Sequence, residues 1–562
     1  MSSAKEPVTR RFGNGLTVLI KEDKSHPVVS LQYWVGTGSM NEGHWQGSGL
    51  SHLLEHLVFK GTAHFSGQEL ARKVQERGGH WNAYTSVNRT VYYIDGPAES
   101  WQIFLNLLTE LVFFPTFPED EMEREKEVVR REMAMYADDP DSVAYQLLMQ
   151  TLYLKHPRRW PVLGERAAFD CLTRQDVLDY HASRYVPNNV VLSIAGDVDA
   201  AEILSHLELL VEDLKSRPLN REPIPHEPHQ FGSRRVRKEF AVPYSKLHLA
   251  WRLPCSAHPD TPALSALSSI LGGGRSARFY EKFHDRLGLV YSIEVHSNQS
   301  ETDEGAFTIS MDVDRAQRDK VRDLVLQELR NLAEEDFTED LKRVCKQTRV
   351  SRLRRRSSAS GVASEMGADW FGSRNLNLSS EWQEAIERVT TEDLHRVCST
   401  WLSSPNVTEV SLDPPGSNAG DEERASASAG TALSEHVLGN GMKVVIREDH
   451  RLPLAYACMA FKAGCRAENE HDAGVTDLMS ECLLKGTSTR SAADIARFLE
   501  DIGGAINTST GNNSLSVGCQ VLAEDLDAGL ELMADVVMNP SFPEDAFLRE
   551  KESFVADAEE DM

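Results

Sequence analysis

A chain of 562 residues is too long for one hydrophobic core and predicts three or four domains. Its 41% hydrophobic and 26% charged residues are those of a globular protein, and no apolar run reaches about eighteen residues, which argues against a helical membrane span. A formal net charge of −26 argues against nucleic acid or an anionic membrane as the main partner.

The opening stretch "MSSAKEPVTRRFGNGLTVLIKED" has no apolar signal core and enters a strand almost at once. A cytoplasmic location is therefore expected, or a periplasmic one if a leader precedes this sequence. Strands such as "LTVLIKED", "VVSLQYWV" and "NVVLSIAGDV" mix with helices such as "SWQIFLNLLTELVFF" and "RAQRDKVRDLVLQELRNLAEE". Adjacent strands followed by helix pairs predict an α+β fold: repeated two-layer α/β sandwich domains with antiparallel-rich sheets, in two homologous halves. The proline-rich "SRPLNREPIPHEPHQFGS" (216–233) separates a first domain, 1–217, from a second, 234–412, and its His226 and His229 read as exposed loop residues. The basic run "RVSRLRRRSSAS" at 349 reads as a solvated helix face. The stretch "DPPGSNAGDEERASASAGT" has almost nothing to bury and makes 413–433 a linker. Eight scattered cysteines with no C-x-x-C pair read as reduced core thiols.

The remainder, 434–562, repeats the beginning. "FGNGLTVLIKEDKSHPVVSL" at 12 returns as "LGNGMKVVIREDHRLPLAYA" at 438. "GLSHLLEHLVFKGT" returns as "GVTDLMSECLLKGT" with an offset of 474 minus 49, or 425, and "TFPEDEMEREKE" returns as "SFPEDAFLREKE" with the same offset. The period is far longer than that of a solenoid and reads as a duplication. The second copy is expected to be degenerate and truncated, since it stops at the equivalent of residue 137.

Within "GLSHLLEHLVFKGT", leucines mark a buried helix that nevertheless carries His52, Glu55 and His56. With His52 at zero, His56 falls at about +40° and Glu55 at about −60°, so the trio shares one face. Burying it unpaired would cost several kcal/mol per charge. A divalent metal removes the difficulty, because two neutral imidazoles four residues apart form half of a tetrahedral zinc site. The order H-x-x-E-H is the reverse of H-E-x-x-H. A third ligand must come from elsewhere. The helix "EDEMEREKEVVRREMAMYADDP" offers Glu132, with Met122, Val128, Val129, Met133 and Met135 to bury, and Glu125 lies seven residues earlier on the same face. Taken alone, these are also two of many glutamates on a charged helix.

H-x-x-E-H followed by "xxFKGT", a "GGxxNAxT" strand and a carboxylate well beyond the second histidine, at Glu132, resemble the pitrilysin family, which includes insulysin and the mitochondrial processing peptidases. The resemblance runs over both copies. It implies a zinc endopeptidase of two homologous halves, acting on peptides or unfolded polypeptides with one Zn²⁺ per chain. It implies His52, His56 and Glu132 as metal ligands, Glu55 as general base and Glu125 as accessory acid. It places Asn82 and Ala83, with Phe59 beside them, at an edge strand that holds extended peptide.

The second copy replaces positions 52, 55, 56 and 132 by Asp477, Ser480, Glu481 and Asp557 while keeping the apolar frame, so zinc is expected only at the first site. The family completes its site with an Arg and a Tyr from the last domain of the other half. In "FHDRLGLVYS" the Tyr position is Tyr291, but the Arg position is His284 and Arg286 is displaced by two. A chain that binds zinc yet cleaves poorly alone is expected, and a partner chain that supplies the remaining half is one way to complete the site. The alternatives are a non-catalytic core or scaffold subunit and an inactive truncated fragment.

Overall fold

The computed structural model describes residues 6–219, 223–299, 304–402, 405–415, 434–446, 454–464, 468–469, 474–502, 504–511 and 513–551. The chain forms two compact units, 1–420 and 421–562, each described by itself. Most of the expected linker, 416–433, lies outside the described residues.

The first unit begins with β1 (Val8–Arg11), β2 (Thr17–Glu22), β3 (Val28–Val35), β4 (His80–Thr85), β5 (Thr90–Pro97) and β6 (Val190–Gly196). They form one sheet in the order β1-β2-β6-β3-β5-β4, antiparallel throughout except for the β2–β6 pair. Helices of the same region include α1 (Leu50–Val58), α2 (Gly67–Gln75), α3 (Trp101–Phe113), α4 (Glu119–Asp138) and α5 (Pro140–Leu152). Alternation along β3 sends Val29, Leu31, Tyr33 and Val35 into a core shared with α1 and α3. Ser30, Gln32 and Trp34 point to the opposite face and are buried as well.

That opposite face is covered by a helix from much later in the chain, Ala359–Ser373. Gln32 Nε2 donates to Ser360 O and Ser364 Oγ, each at 3.1 Å, and Ser193 Oγ donates to Ala363 O at 2.7 Å. A Cβ at Gly367 would lie 2.3 Å from the Trp34 indole, so only glycine lets the helix approach this closely.

A second sheet comprises β7 (Arg234–Glu239), β8 (Ser245–Leu253), β9 (Val290–Asn298), β10 (Gly305–Val313) and β11 (Thr408–Asp413), in the order β7-β11-β8-β10-β9. Its larger core packs on the helices Thr261–Gly272 and Arg318–Asn331. Its other face receives Leu148, Met149 and Leu152 of α5. Each sheet is thus capped by a helix from the other region of the unit. The proline-rich segment between them is pinned: the buried Glu227 carboxylate accepts backbone N–H bonds from Leu154, Lys155 and His156 at 2.7, 2.8 and 3.0 Å. His226 and His229 are exposed.

Helix α4 corrects one expectation. Met122, Val129 and Met133 pack inward, but Val128 is 37% and Met135 71% exposed. From Met122 the inward residues lie within about 20°, whereas Val128 and Met135 fall about 120–140° away.

The second unit contains a hairpin, β12 (Ser434–Val437) and β13 (Lys443–Ile446), and a sheet of β14 (Leu454–Phe461), β15 (Ala505–Thr510) and β16 (Leu515–Leu522) in the order β14-β16-β15. Its helix Val475–Leu483 stands where α1 stands, and β15 where β4 stands, each displaced along the chain by the repeat offset. Even the backbone exceptions recur: φ is +72° at Gly49 and +87° at Gly474, and Phe117 and Phe542 both have positive φ. Among the described residues no helix is long and apolar enough to cross a membrane.

Candidate metal centre

Helix α1 is anchored by Leu50, Leu53, Leu54, Leu57 and Val58, all fully buried. At about 1.5–3 kcal/mol each, their burial supplies on the order of 10 kcal/mol and fixes the opposite face of the helix. Gly49 starts the helix with φ +72°, and a Cβ there would lie 2.0 Å from Leu163 O. Fully buried Glu42 reaches back to the first turn, where the Ser51 N–H donates to its Oε1 at 2.8 Å.

On the fixed face stand His52, Glu55 and His56. Helix α4 crosses behind and brings Glu132 to them: Glu132 Oε2 lies 3.8 Å from His52 Nε2 and 3.8 Å from His56 Nε2. The two imidazole centroids are 4.7 Å apart. One ligand atom from each of His52, His56 and Glu132 lies within 4.8 Å of the others, the one such group among the described residues. The separations from Glu132 to the two imidazoles are too long for hydrogen bonds. They are close to the roughly 3.4 Å between neighbouring donors around a tetrahedral zinc with bonds of about 2.0–2.1 Å. Two imidazole nitrogens and one carboxylate oxygen converge on a point without bonding one another, and this donor set fits zinc.

The surroundings tune each group. Burial, and then the nearby His56 charge, pulls the pKa of His52 down to about 3, so its imidazole is neutral in ordinary conditions. His52 Nδ1 is buried without a hydrogen-bond partner. For His56, burial acts downward but is outweighed by the bond to Glu125 and by the charges of Glu55 and Glu132, which raise its pKa. Glu125 is buried and divided between two partners, with Oε2 3.2 Å from His56 Nδ1 and Oε1 2.6 Å from Lys60 Nζ. Burial raises the pKa of Glu55 against the opposing bond from Thr85, whose hydroxyl donates to Glu55 Oε2 at 2.5 Å.

Strand β4 lies at the sheet edge beside α1. Its inner positions, Trp81, Ala83 and Thr85, face the helix, while Asn82 is exposed and its Oδ1 accepts the Ala83 N–H at 2.8 Å. Phe59 is half-buried, edge-on to Trp81 with centroids 4.9 Å apart. Thr85, Lys60 and Glu42 were not singled out from the sequence. A signal for two of them exists, because Lys60 recurs as Lys485, and Glu42 recurs as Glu468, which accepts the Thr476 N–H at 2.8 Å.

The second unit keeps this scaffold without the imidazoles. The Thr510 hydroxyl, equivalent to Thr85, donates to Asp477 at the position of His52. Asp557 lies outside the described residues. In the first unit, Tyr291 is 41% exposed against Tyr244, His284 bonds its neighbour Asp285 at 2.7 Å, and Arg286 pairs with Glu281.

Comparison with known proteins agrees with this geometry. The family description "Insulinase (Peptidase family M16)" matches residues 17–166 and again 443–561, and "Peptidase M16 inactive domain" matches 172–347. His52, Glu55, His56 and Glu132 all fall in the first of these matches. An uncharacterized zinc protease of Rickettsia felis is 27% identical over 70% of this chain and 94% of its own length. One of Mycobacterium tuberculosis is 30% identical over 52% of this chain and 67% of its own. The crystal structure of a protease from Helicobacter pylori superposes with a TM-score of 0.67 at 26% identity, covering 73% of this chain and all of that one. A duplicated α+β fold, a histidine–histidine–glutamate group on two crossing helices and these matches lead to one conclusion: the chain belongs to the M16 peptidase family.

Proposed function

We propose that this chain is a zinc-dependent endopeptidase acting on peptides or unfolded polypeptides, with its centre in the first unit. The observation that carries the reading is the convergence of His52 Nε2, His56 Nε2 and a Glu132 oxygen beside a carboxylate, Glu55, that is not one of the three. The relatives' designation as zinc proteases supports it. When bound, zinc supplies Lewis acidity, lowering the pKa of water toward neutrality and polarising a carbonyl.

Neutral His52 offers its Nε2 lone pair, and Glu125 fixes the tautomer of His56 by accepting from Nδ1, which leaves Nε2 facing the group. Glu55, held by the Thr85 hydroxyl, takes a proton from water as the amide is attacked and returns it to the leaving amine. A raised pKa suits a base that must both accept and release a proton near neutrality. The edge of β4 offers backbone groups to an extended peptide, with Asn82 releasing the Ala83 N–H as the peptide arrives. Such binding reads backbone more than sequence and suits unfolded substrates.

The test uses the whole chain. Zinc content near one per chain, slow cleavage of a quenched peptide that a chelator abolishes and added zinc restores, and loss of both metal and cleavage in His56→Ala are expected. Cleavage indifferent to chelation, or a chain that takes up no zinc, overturns the reading.

A further inference from the structure

Helix α1 ends at Val58, and Lys60 follows two residues later, its N–H on Leu57 O at 3.1 Å. From there its side chain reaches α4, with Nζ 2.6 Å from Glu125 Oε1. The other oxygen of the same carboxylate lies 3.2 Å from His56 Nδ1. A terminal carboxylate torsion is broad and does not choose its own orientation. The ammonium on Oε1 makes that choice, leaving Oε2 for the histidine. It also supplies the opposite charge that a nearly buried carboxylate requires.

The second unit carries the same pair without the chemistry. Lys485 and Glu550, the repeat equivalents of Lys60 and Glu125, are 2.7 Å apart, although both histidines are absent there. Two crossing helices therefore build the ion pair whether or not a metal group is present. In the second unit it can only tie helices together. In the first it also governs the partner of His56.

We propose that Lys60 is a positioning residue of the metal centre, acting through Glu125 to orient His56 toward the metal, with Lys485 as its purely structural counterpart. The inference rests on the zinc reading of this site.

The duplicate supplies the control. Zinc affinity of the full chain, measured by chelator competition, is expected to fall about 5–10-fold in Lys60→Met, below or at the foot of the roughly 10–100-fold range found when the partner of a metal-bound histidine is itself removed, because Glu125 stays in place. In Lys485→Met it is expected to stay within about twofold of wild type, although the same ion pair is lost. The cobalt-substituted Lys60→Met protein should show a shifted ligand-field spectrum, whereas Lys485→Met should not. If Lys60→Met does not fold, Lys60→Gln keeps the reach and a donor without the charge, and carries the expectation of a weaker fall. Unchanged affinity and spectrum in a folded Lys60 variant overturn the proposal and leave the pair as a helix tie. A wild-type chain that binds no zinc instead overturns the metal-centre reading itself.

Discussion

Replacing Glu55 by glutamine tests the division of labour in the site, because it removes a charge and almost nothing else. Glu55 is flanked by two of the three convergent donors but is not one of them. Its bond from the Thr85 hydroxyl needs only an sp² oxygen, which glutamine retains. The group should therefore keep its metal. Burial raises the pKa of Glu55, so in the metal-free protein the ionised carboxylate is disfavoured on folding as pH rises above its unfolded value. The variant should then be as stable as wild type at neutral pH, or more so. Its catalysis should collapse: a positioned general base contributes about 10²–10⁴-fold, or roughly 3–5 kcal/mol of barrier. The assay is cleavage of a quenched peptide at saturating substrate, with zinc content and thermal midpoint measured on the same preparations. Cleavage within about fivefold of wild type in a zinc-loaded Glu55→Gln protein would remove Glu55 from the role of base. Loss of zinc together with cleavage would place it among the ligands.

Three further outcomes probe the frame that holds the site. Burial pushes the Glu42 pKa up to about 8 from 4.5 against its bond to Ser51, so the folded protein retains a proton that the unfolded chain releases. Wild-type stability should fall relative to Glu42→Gln as pH rises between those values, by at most about 5 kcal/mol, and the difference should level off above them; the same wild-type-to-variant difference in urea unfolding at pH 5 and 8 would refute this. Glu227→Ala strands three backbone N–H groups and should cost about 2–4 kcal/mol in urea unfolding, while Glu227→Gln, keeping one acceptor, should cost less. Gly367→Ala drives a methyl into the Trp34 indole and should destabilise the first unit by about 1–3 kcal/mol with a shift in tryptophan emission; an unperturbed spectrum and midpoint would show that the helix yields.

The functional half of the site was legible because helical periodicity is local. Spacing alone places His52, Glu55 and His56 on one face, and the surrounding leucines declare the other face buried. Glu132 was reached through its matching motif, since no local pattern ties it to a helix so far back in the chain. Reading α4 by composition misled at Val128 and Met135, which lie off the inward stripe. The internal repeat held more than was drawn from it: the recurrence of Lys60 as Lys485 and of Glu42 as Glu468 marks parts that outlast the loss of the imidazoles.

The sequence by itself determined the duplication, the strand and helix types and the polar face of α1, because these depend on residues a few positions apart or on direct self-similarity. Only the tertiary structure decided which distant groups meet. It set Glu125 between His56 and Lys60, turned Thr85 toward Glu55, laid the helix Ala359–Ser373 across Trp34, and gave Glu42 and Glu468 opposite pKa shifts through different burial despite similar backbone bonds. Contacts between segments tens to hundreds of residues apart follow from the shape and depth of the packed core, and no local pattern in the chain encodes either.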